Sequence, residues 1–208
     1  MVAVSQLLPI DLAYKLPPGI SLLLDGSGLS AGQFADLCRS NPDLRIERNA
    51  NHQIIIMAPT SSETGRWNSK IHIEIGLWNK TTNLGETFDS STGFTLPNGA
   101  ERAPDTAWIA KARWDALPRE QKQTFASIVP DFVLELRSKG DNLAALKQKM
   151  EEYMLCGCRL GWLIDPQTKH THVYAENKAV RTVPFDEILT GSEVMPGLEM
   201  CLTQVIGL

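Results

Sequence analysis

The chain has 208 residues, 43% of them hydrophobic and 21% charged, the make-up of an ordinary globular domain. A net charge of −4 and a pI near 5.6 give no basic signature for nucleic acid, although a local patch can do what the average does not. No apolar run approaches the roughly 20 residues of a membrane helix, and the first residues lack the basic start and apolar core of a secretion signal, so a cytoplasmic protein is expected. Four cysteines (Cys38, Cys156, Cys158, Cys201) are too few and too scattered for a disulfide framework. Cys156-Gly-Cys158 has no nearby His or Cys to complete a zinc set.

Residues 1–27, with Pro9 and Pro17–Pro18, read as an N-terminal arm, and residues 28–208 as a single domain. Ser30 caps a short predicted helix to Cys38, which Asn41–Pro42–Asp43 ends. Leu44–Glu47 and Gln53–Met57 read as a hairpin, with nothing chemically specific in it. From Pro59 to Lys80 a long helix is predicted, with Thr60 and Glu63 as a capping box and Trp67, Ile71, Ile75 and Trp78 as its apolar stripe. Glu63 is then either a cap alone or also a carboxylate at the mouth of a site. His72 reads as a helix-surface residue.

Thr87–Leu96 is β-rich but broken, and Pro97–Asn98–Gly99 is a turn. Glu101–Ala110 reads as one short strand with Asp105 near its start, and Trp114–Gln123 as a helical or loop connection. Asp131 reads as a turn acid. The last 40 residues read as edge strands at His170–Ala175, Lys178–Pro184 and Met195–Ile206, with His170 and His172 on the surface.

The stretch Pro130–Pro166 carries the chemistry. Phe132–Arg137 predicts a strand with Phe132, Leu134 and Leu136 on one face and Val133, Glu135 and Arg137 on the other. A carboxylate in a buried strand is costly unless paired, hydrogen-bonded or metal-bound, and the Glu135-x-Arg137 spacing suggests an ion pair beside a reacting group. A helix follows from Asp141 or Asn142, with Leu143, Leu146, Met150, Tyr153 and Met154 in one arc and Lys149 on the same edge as Tyr153. Arg159–Ile164 is the next strand, so the unit reads as a crossover that brings Glu135, Arg137 and Lys149 toward one strand end.

Two acids on successive strands, Asp105 and Glu135, are a recognisable arrangement for Mg²⁺ or Mn²⁺, and a nearby cation would orient or activate an attacking water. The duller alternative is a salt-bridged strand acid. There is no nucleophile elbow, phosphate loop or dinucleotide fingerprint.

The order Pro104–Asp105, then Glu135-x-Arg137, then a helix resembles the PD-(D/E)xK phosphodiesterase superfamily, and more closely its Uma2 branch of endonuclease-like proteins. The shared patterns are Arg102–Asp105, Pro130–Ser138, Lys149–Tyr153, Gly157–Pro166, Glu63–Asn68 and Pro196–Leu198, spanning roughly residues 28–206. The resemblance implies an α/β (α+β) fold with a restriction-endonuclease-like core, a mixed β-sheet flanked by helices, and an N-terminal helix–hairpin extension. It implies an Mg²⁺-dependent endonuclease acting on DNA, with Asp105 and Glu135 as metal ligands and Glu63 assisting. The superfamily lysine belongs where Arg137 stands; in this branch the role moves to Lys149. Arg137 is a poor proton carrier because guanidinium stays charged, so it is expected to contact phosphate or the carboxylates. A homodimer is implied by analogy. The competing readings are a catalytically idle nuclease fold serving as a binding or regulatory module, and a hydrolase of small phosphate esters using the same carboxylates.

Overall fold

Alternation of apolar side chains builds the first sheet. In the computed structural model, which describes residues 21–208, strands β1 (Ser21–Asp25), β2 (Arg45–Arg48) and β3 (Gln53–Met57) pair antiparallel, with β3 in the middle. Ile46, Ile54 and Ile56 pack with Phe34 and Leu37 of helix α1 (Ala31–Ser40), and Leu22 and Leu24 join them. Ser30 caps α1 in a reciprocal box with Gln33. The predicted arm over residues 1–27 therefore falls mainly outside the described residues, but its last part is a strand of this sheet.

Because β2 alternates, Ile46 and Arg48 face α1 whereas Arg45 and Glu47 face the opposite way. Arg48 is buried against Glu101, its Nε 2.5 Å from Oε2, and lies over the Phe34 ring.

Helix α2 (Ser62–Thr82) is capped by Ser61, whose Oγ accepts the Thr64 N–H at 3.2 Å. The predicted box from Thr60 is thus displaced by one residue. Glu63 falls in the first turn but out of step for the reciprocal bond. Ile71 and Ile75 are fully buried against the main sheet, with Trp67 and Trp78 beside them; full burial of each isoleucine contributes roughly 2 kcal/mol.

The chain then forms β4 (Gly85–Asp89) and β5 (Phe94–Thr95) within the broken β-rich region. The single strand predicted over Glu101–Ala110 is two. Residues Glu101–Arg102 (β6) complete the first sheet, in the order β1-β3-β2-β6-β5, and Thr106–Ala110 (β7) enters the second. Pro104 lacks the N–H that a continuous ladder needs. Asp105 consequently sits at the crossing between sheets and not within a strand. Two short helices, α3 (Lys111–Asp115) and α4 (Arg119–Lys122), fill the connection to β8 (Phe132–Leu136).

After β8, helix α5 (Leu143–Leu155), capped by Asn142, crosses to β9 (Leu160–Asp165), which pairs parallel to β8 as a right-sized crossover requires. The second sheet also includes β10 (His170–Ala175) and β11 (Arg181–Pro184), in the order β11-β10-β9-β8-β7-β4. Phe132, Leu134, Leu136 and Trp162 face α2; Val133 and Leu163 face Met150 and Tyr153 of α5. Phe132 and Trp162 meet edge to face, with ring centres 5.1 Å apart. The period-2 assignment of β8 therefore puts Glu135 on the α5 side.

The predicted closing strand is in part a helix. Glu199–Cys201 (β13) pairs with Ile188–Thr190 (β12), and Leu202–Ile206 (α6) follows, burying Leu202 and Ile206 four residues apart. Asp131 is more than a turn acid: it is buried, accepts the Ala110 N–H at 2.9 Å and pairs with Arg113 at 2.8 Å.

Candidate active site

A cleft of about 1090 Å³ opens between the two sheets, walled by β2, the N-terminal half of α2 and the first half of α5. Asp105, Glu135 and Lys149 line it together. The Asp105 Oδ2 atom accepts the backbone N–H of Leu136 at 2.8 Å, which fixes the acid at the end of β8, beside Glu135. Lys149 reaches back from α5, with Nζ 2.6 Å from Glu135 Oε1. The Tyr153 hydroxyl, one helical turn on, donates to the same oxygen at 3.3 Å. Helical spacing explains that convergence, since residues four apart share a face.

Two residues that the sequence did not single out complete the cluster. Glu47 accepts Lys149 Nζ at 2.8 Å, Arg102 Nη1 at 3.1 Å and the Ala103 N–H at 3.1 Å. Arg45 donates from Nη2 to Asp105 Oδ1 at 3.0 Å and to the Ala103 carbonyl at 2.9 Å. Arg102 also holds Glu152, from Nε at 2.6 Å. The signal was present in R-I-E-R, an alternating strand whose two outer-face positions, Arg45 and Glu47, are both charged.

The electrostatics follow from the partners. Burial pushes the Glu135 carboxyl up to about 7; Lys149 pulls it down, but Asp105 and Glu47 add to the push. Burial would raise Glu47 as well, yet Lys149 and Arg102 hold it down to about 2. Both acids touch the same ammonium. They differ because Glu47 also has the Arg102 guanidinium, whereas Glu135 has the Asp105 and Glu47 carboxylates near it. Burial lowers the proton affinity of Lys149, and Glu135 and Glu47 more than restore it, leaving its pKa above the ordinary lysine value.

The other predicted residues lie elsewhere. Glu63 is exposed on the first turn of α2, pairs with Arg66 at 2.7 Å, and is not among the cleft-lining side chains. Arg137 does not pair with Glu135: its Nη1 lies 2.9 Å from Asp165 Oδ2 and its Nε donates to the Asp141 carbonyl at 3.3 Å. It braces the ends of β8 and β9 and the turn into α5. His72, read as a surface residue, lines the cleft with Nδ1 3.2 Å from Thr106 Oγ1.

The donor set suits a hard divalent cation in kind and in sign. Within the cluster four carboxylates (Glu47, Asp105, Glu135, Glu152) face three cations (Arg45, Arg102, Lys149), so one negative charge is unmatched when all four are ionised, and Glu135, pushed up to about 7, is the one a proton or a cation would neutralise. Among the described residues no three His, Cys, Asp or Glu side chains are grouped to hold a metal ion. A cation here would therefore have Asp105 and Glu135 with water completing its shell, which is a coordination Mg²⁺ accepts.

A mixed sheet with a parallel crossover at its centre, flanked by helices, is the architecture of a restriction-endonuclease-like fold. The solved structure of a protein from Anabaena variabilis ATCC 29413, described as a "putative nuclease belonging to DUF820", matches with a TM-score of 0.71 at 18% identity, over 86% of this chain and 98% of that one. Residues 31–204 match the family Uma2, described as "Putative restriction endonuclease", and the chain belongs to that family. No curated protein matches the sequence. Among the described residues no helix is long and apolar enough to cross a membrane.

Proposed function

We propose that this chain is a metal-dependent endonuclease that hydrolyses phosphodiester bonds in DNA. The observation that carries the reading is the convergence of Asp105, Glu135 and Lys149 on one cleft from three separate parts of the chain. Asp105 and Glu135 would hold Mg²⁺ or Mn²⁺. When bound, such an ion supplies neutralisation of phosphate charge and a more acidic water. Lys149 holds its ammonium at the Glu135 oxygen and orients the water that attacks. Glu47 keeps that ammonium in place, and Tyr153 fixes the Glu135 carboxyl.

A supercoiled plasmid incubated with Mg²⁺ or Mn²⁺ tests the reading. The wild type should nick it, and Asp105→Ala and Glu135→Ala should not. Nicking that survives both substitutions comes from a contaminant and ends the proposal.

A second reading, a nuclease fold kept as a binding module, draws support from the charge of the cleft. Seven acidic side chains line it (Asp43, Glu47, Asp89, Asp105, Glu135, Asp141, Glu152) against three basic ones (Arg45, Arg102, Lys149). Such a wall repels a polyanion unless cations intervene. Steep dependence of DNA binding on divalent ions would favour the enzyme. Metal-independent binding of a non-nucleic-acid partner would favour the module.

A further inference from the structure

We infer that Arg45 is an exchangeable cation: it holds Asp105 until a divalent ion arrives, then turns its guanidinium to a phosphate oxyanion in the cleft. The inference rests on the reading of Asp105 as a metal ligand.

Three cations serve the cluster, and they are not held alike. Arg102 is fixed between Glu47 and Glu152, and Lys149 between Glu47 and Glu135. Arg45 has one carboxylate, Asp105, and one carbonyl, that of Ala103. All three line the cleft, but the Arg45 side chain is 33% exposed, compared with 8% for Arg102 and 10% for Lys149, so it is the least enclosed of the three.

The resting pose is also incomplete. Nε of Arg45 is buried with no acceptor, although a guanidinium offers five donors and buried donors are normally paired. What keeps the side chain there is chiefly the charge of Asp105, with the Ala103 carbonyl beside it. Asp105 in turn has Oδ2 on the Leu136 amide and Oδ1 on Arg45, so both oxygens carry a donor. A divalent ion taken up by Asp105 would remove the main attraction that holds the pose. The freed guanidinium matches the geometry of a phosphate group, which it can take with two parallel hydrogen bonds.

The test follows the Arg45 Nε–H resonance in the full chain, assigned by its loss in Arg45→Lys, while Mg²⁺ and then inorganic phosphate are added. Calorimetry on the same samples reports Mg²⁺ binding, with Asp105→Ala as the control. Mg²⁺ should move the resonance, and phosphate should move it again. Arg45→Ala should bind Mg²⁺ about tenfold more tightly, the scale of one nearby like charge removed. That tightening alone would follow from charge, so the resonance decides. If Mg²⁺ binds with an Asp105-dependent heat and the resonance stays still, Arg45 is a fixed support and the inference is overturned, while the metal reading stands. Mg²⁺ binding seen only in Arg45→Ala would mean that Arg45 blocks the ion without yielding to it, and it too overturns the exchange. If neither protein takes up Mg²⁺, both the metal reading and the inference fail. Thermal melts of each variant confirm that it is folded.

Discussion

The Leu136 amide donates to Asp105 Oδ2 at 2.8 Å, so the acid at the crossing between sheets is registered to the strand that carries Glu135. The two acids thus reach one cleft by a backbone contact, and a side chain that cannot accept there should cost stability as well as function. Asp105→Ala should lower stability by about 1–3 kcal/mol, the scale of stranding a buried donor, while Asp105→Asn should recover most of it because an amide oxygen still accepts. Urea denaturation of the two variants checks this. Equal losses in both would show that the Arg45 pair, and not the amide bond, is what matters.

Glu47 is 2% exposed and joins Lys149, Arg102 and the Ala103 amide. Removing its charge leaves two buried cations short of a partner. Glu47→Gln should therefore destabilise by about 3–5 kcal/mol, the range for breaking a buried pair from one side. A loss below about 1 kcal/mol, the surface-pair range, would refute its place at the centre of the network.

Stability should depend on pH in two opposite ways when no divalent ion is present. The Glu135 carboxyl sits at about 7 against an ordinary 4.5, so the folded protein binds a proton that the unfolded chain has lost. Its contribution is full below pH 4.5 and disappears as the pH rises through 7. Glu47, at about 2, acts the other way: its contribution is present above pH 4.5 and disappears as the pH falls to 2. Each limb is at most about 3 kcal/mol, the scale set by moving a carboxyl from its ordinary value to about 7 or to about 2. Denaturation curves from pH 2 to 8 should show the neutral limb flattened in Glu135→Gln and the acid limb flattened in Glu47→Gln. A neutral limb unchanged in Glu135→Gln would assign it to another group.

Glu63 lies on the α2 surface with Arg66, away from the cleft lining. Glu63→Ala should leave both the Mg²⁺ binding heat and plasmid nicking at wild-type values. A drop in either would bring the helix carboxylate back into the site.

Gly85 has no room for a side chain. A Cβ there would meet the Ile109 carbonyl oxygen at 2.2 Å and the Trp108 ring at 2.4 Å. The carbonyl belongs to the paired strand β7 and has nowhere to go, so Gly85→Ala should cost about 3 kcal/mol or more, the upper range for overpacking. A melting temperature within a degree or so of the wild type would show that this end of β4 frays freely.

The crossover β8–α5–β9 was legible because each element announces itself locally: a β-rich run after Pro130, an Asn142 cap, and an apolar arc that places Lys149 beside Tyr153. The fold and family were legible from the order of the motifs. What was not legible depended on contacts between distant parts of the chain. Arg45 and Glu47 looked like ordinary hairpin charges, since only the packing of the first sheet against α5 brings them to Lys149, with Glu47 102 residues away. Arg137 looked like the partner of Glu135 because they share a strand face. The adjacent end of the parallel strand β9 offered the fully buried Asp165 instead, while Lys149 already holds Glu135. The split at Pro104 was visible as a proline, but not as a change of sheet.

Arg45 and Glu47 come from one sheet, Glu135 from the other, Lys149 from the crossover helix and Asp105 from the span between the sheets, so the cluster is complete only when all of these layers are docked. A molecule without the first sheet keeps Asp105 on the Leu136 amide and Lys149 on Glu135 but loses Arg45 and Glu47, which balance their charges. The charge balance that holds the cleft together is thus a property of the assembled layers and not of either sheet by itself.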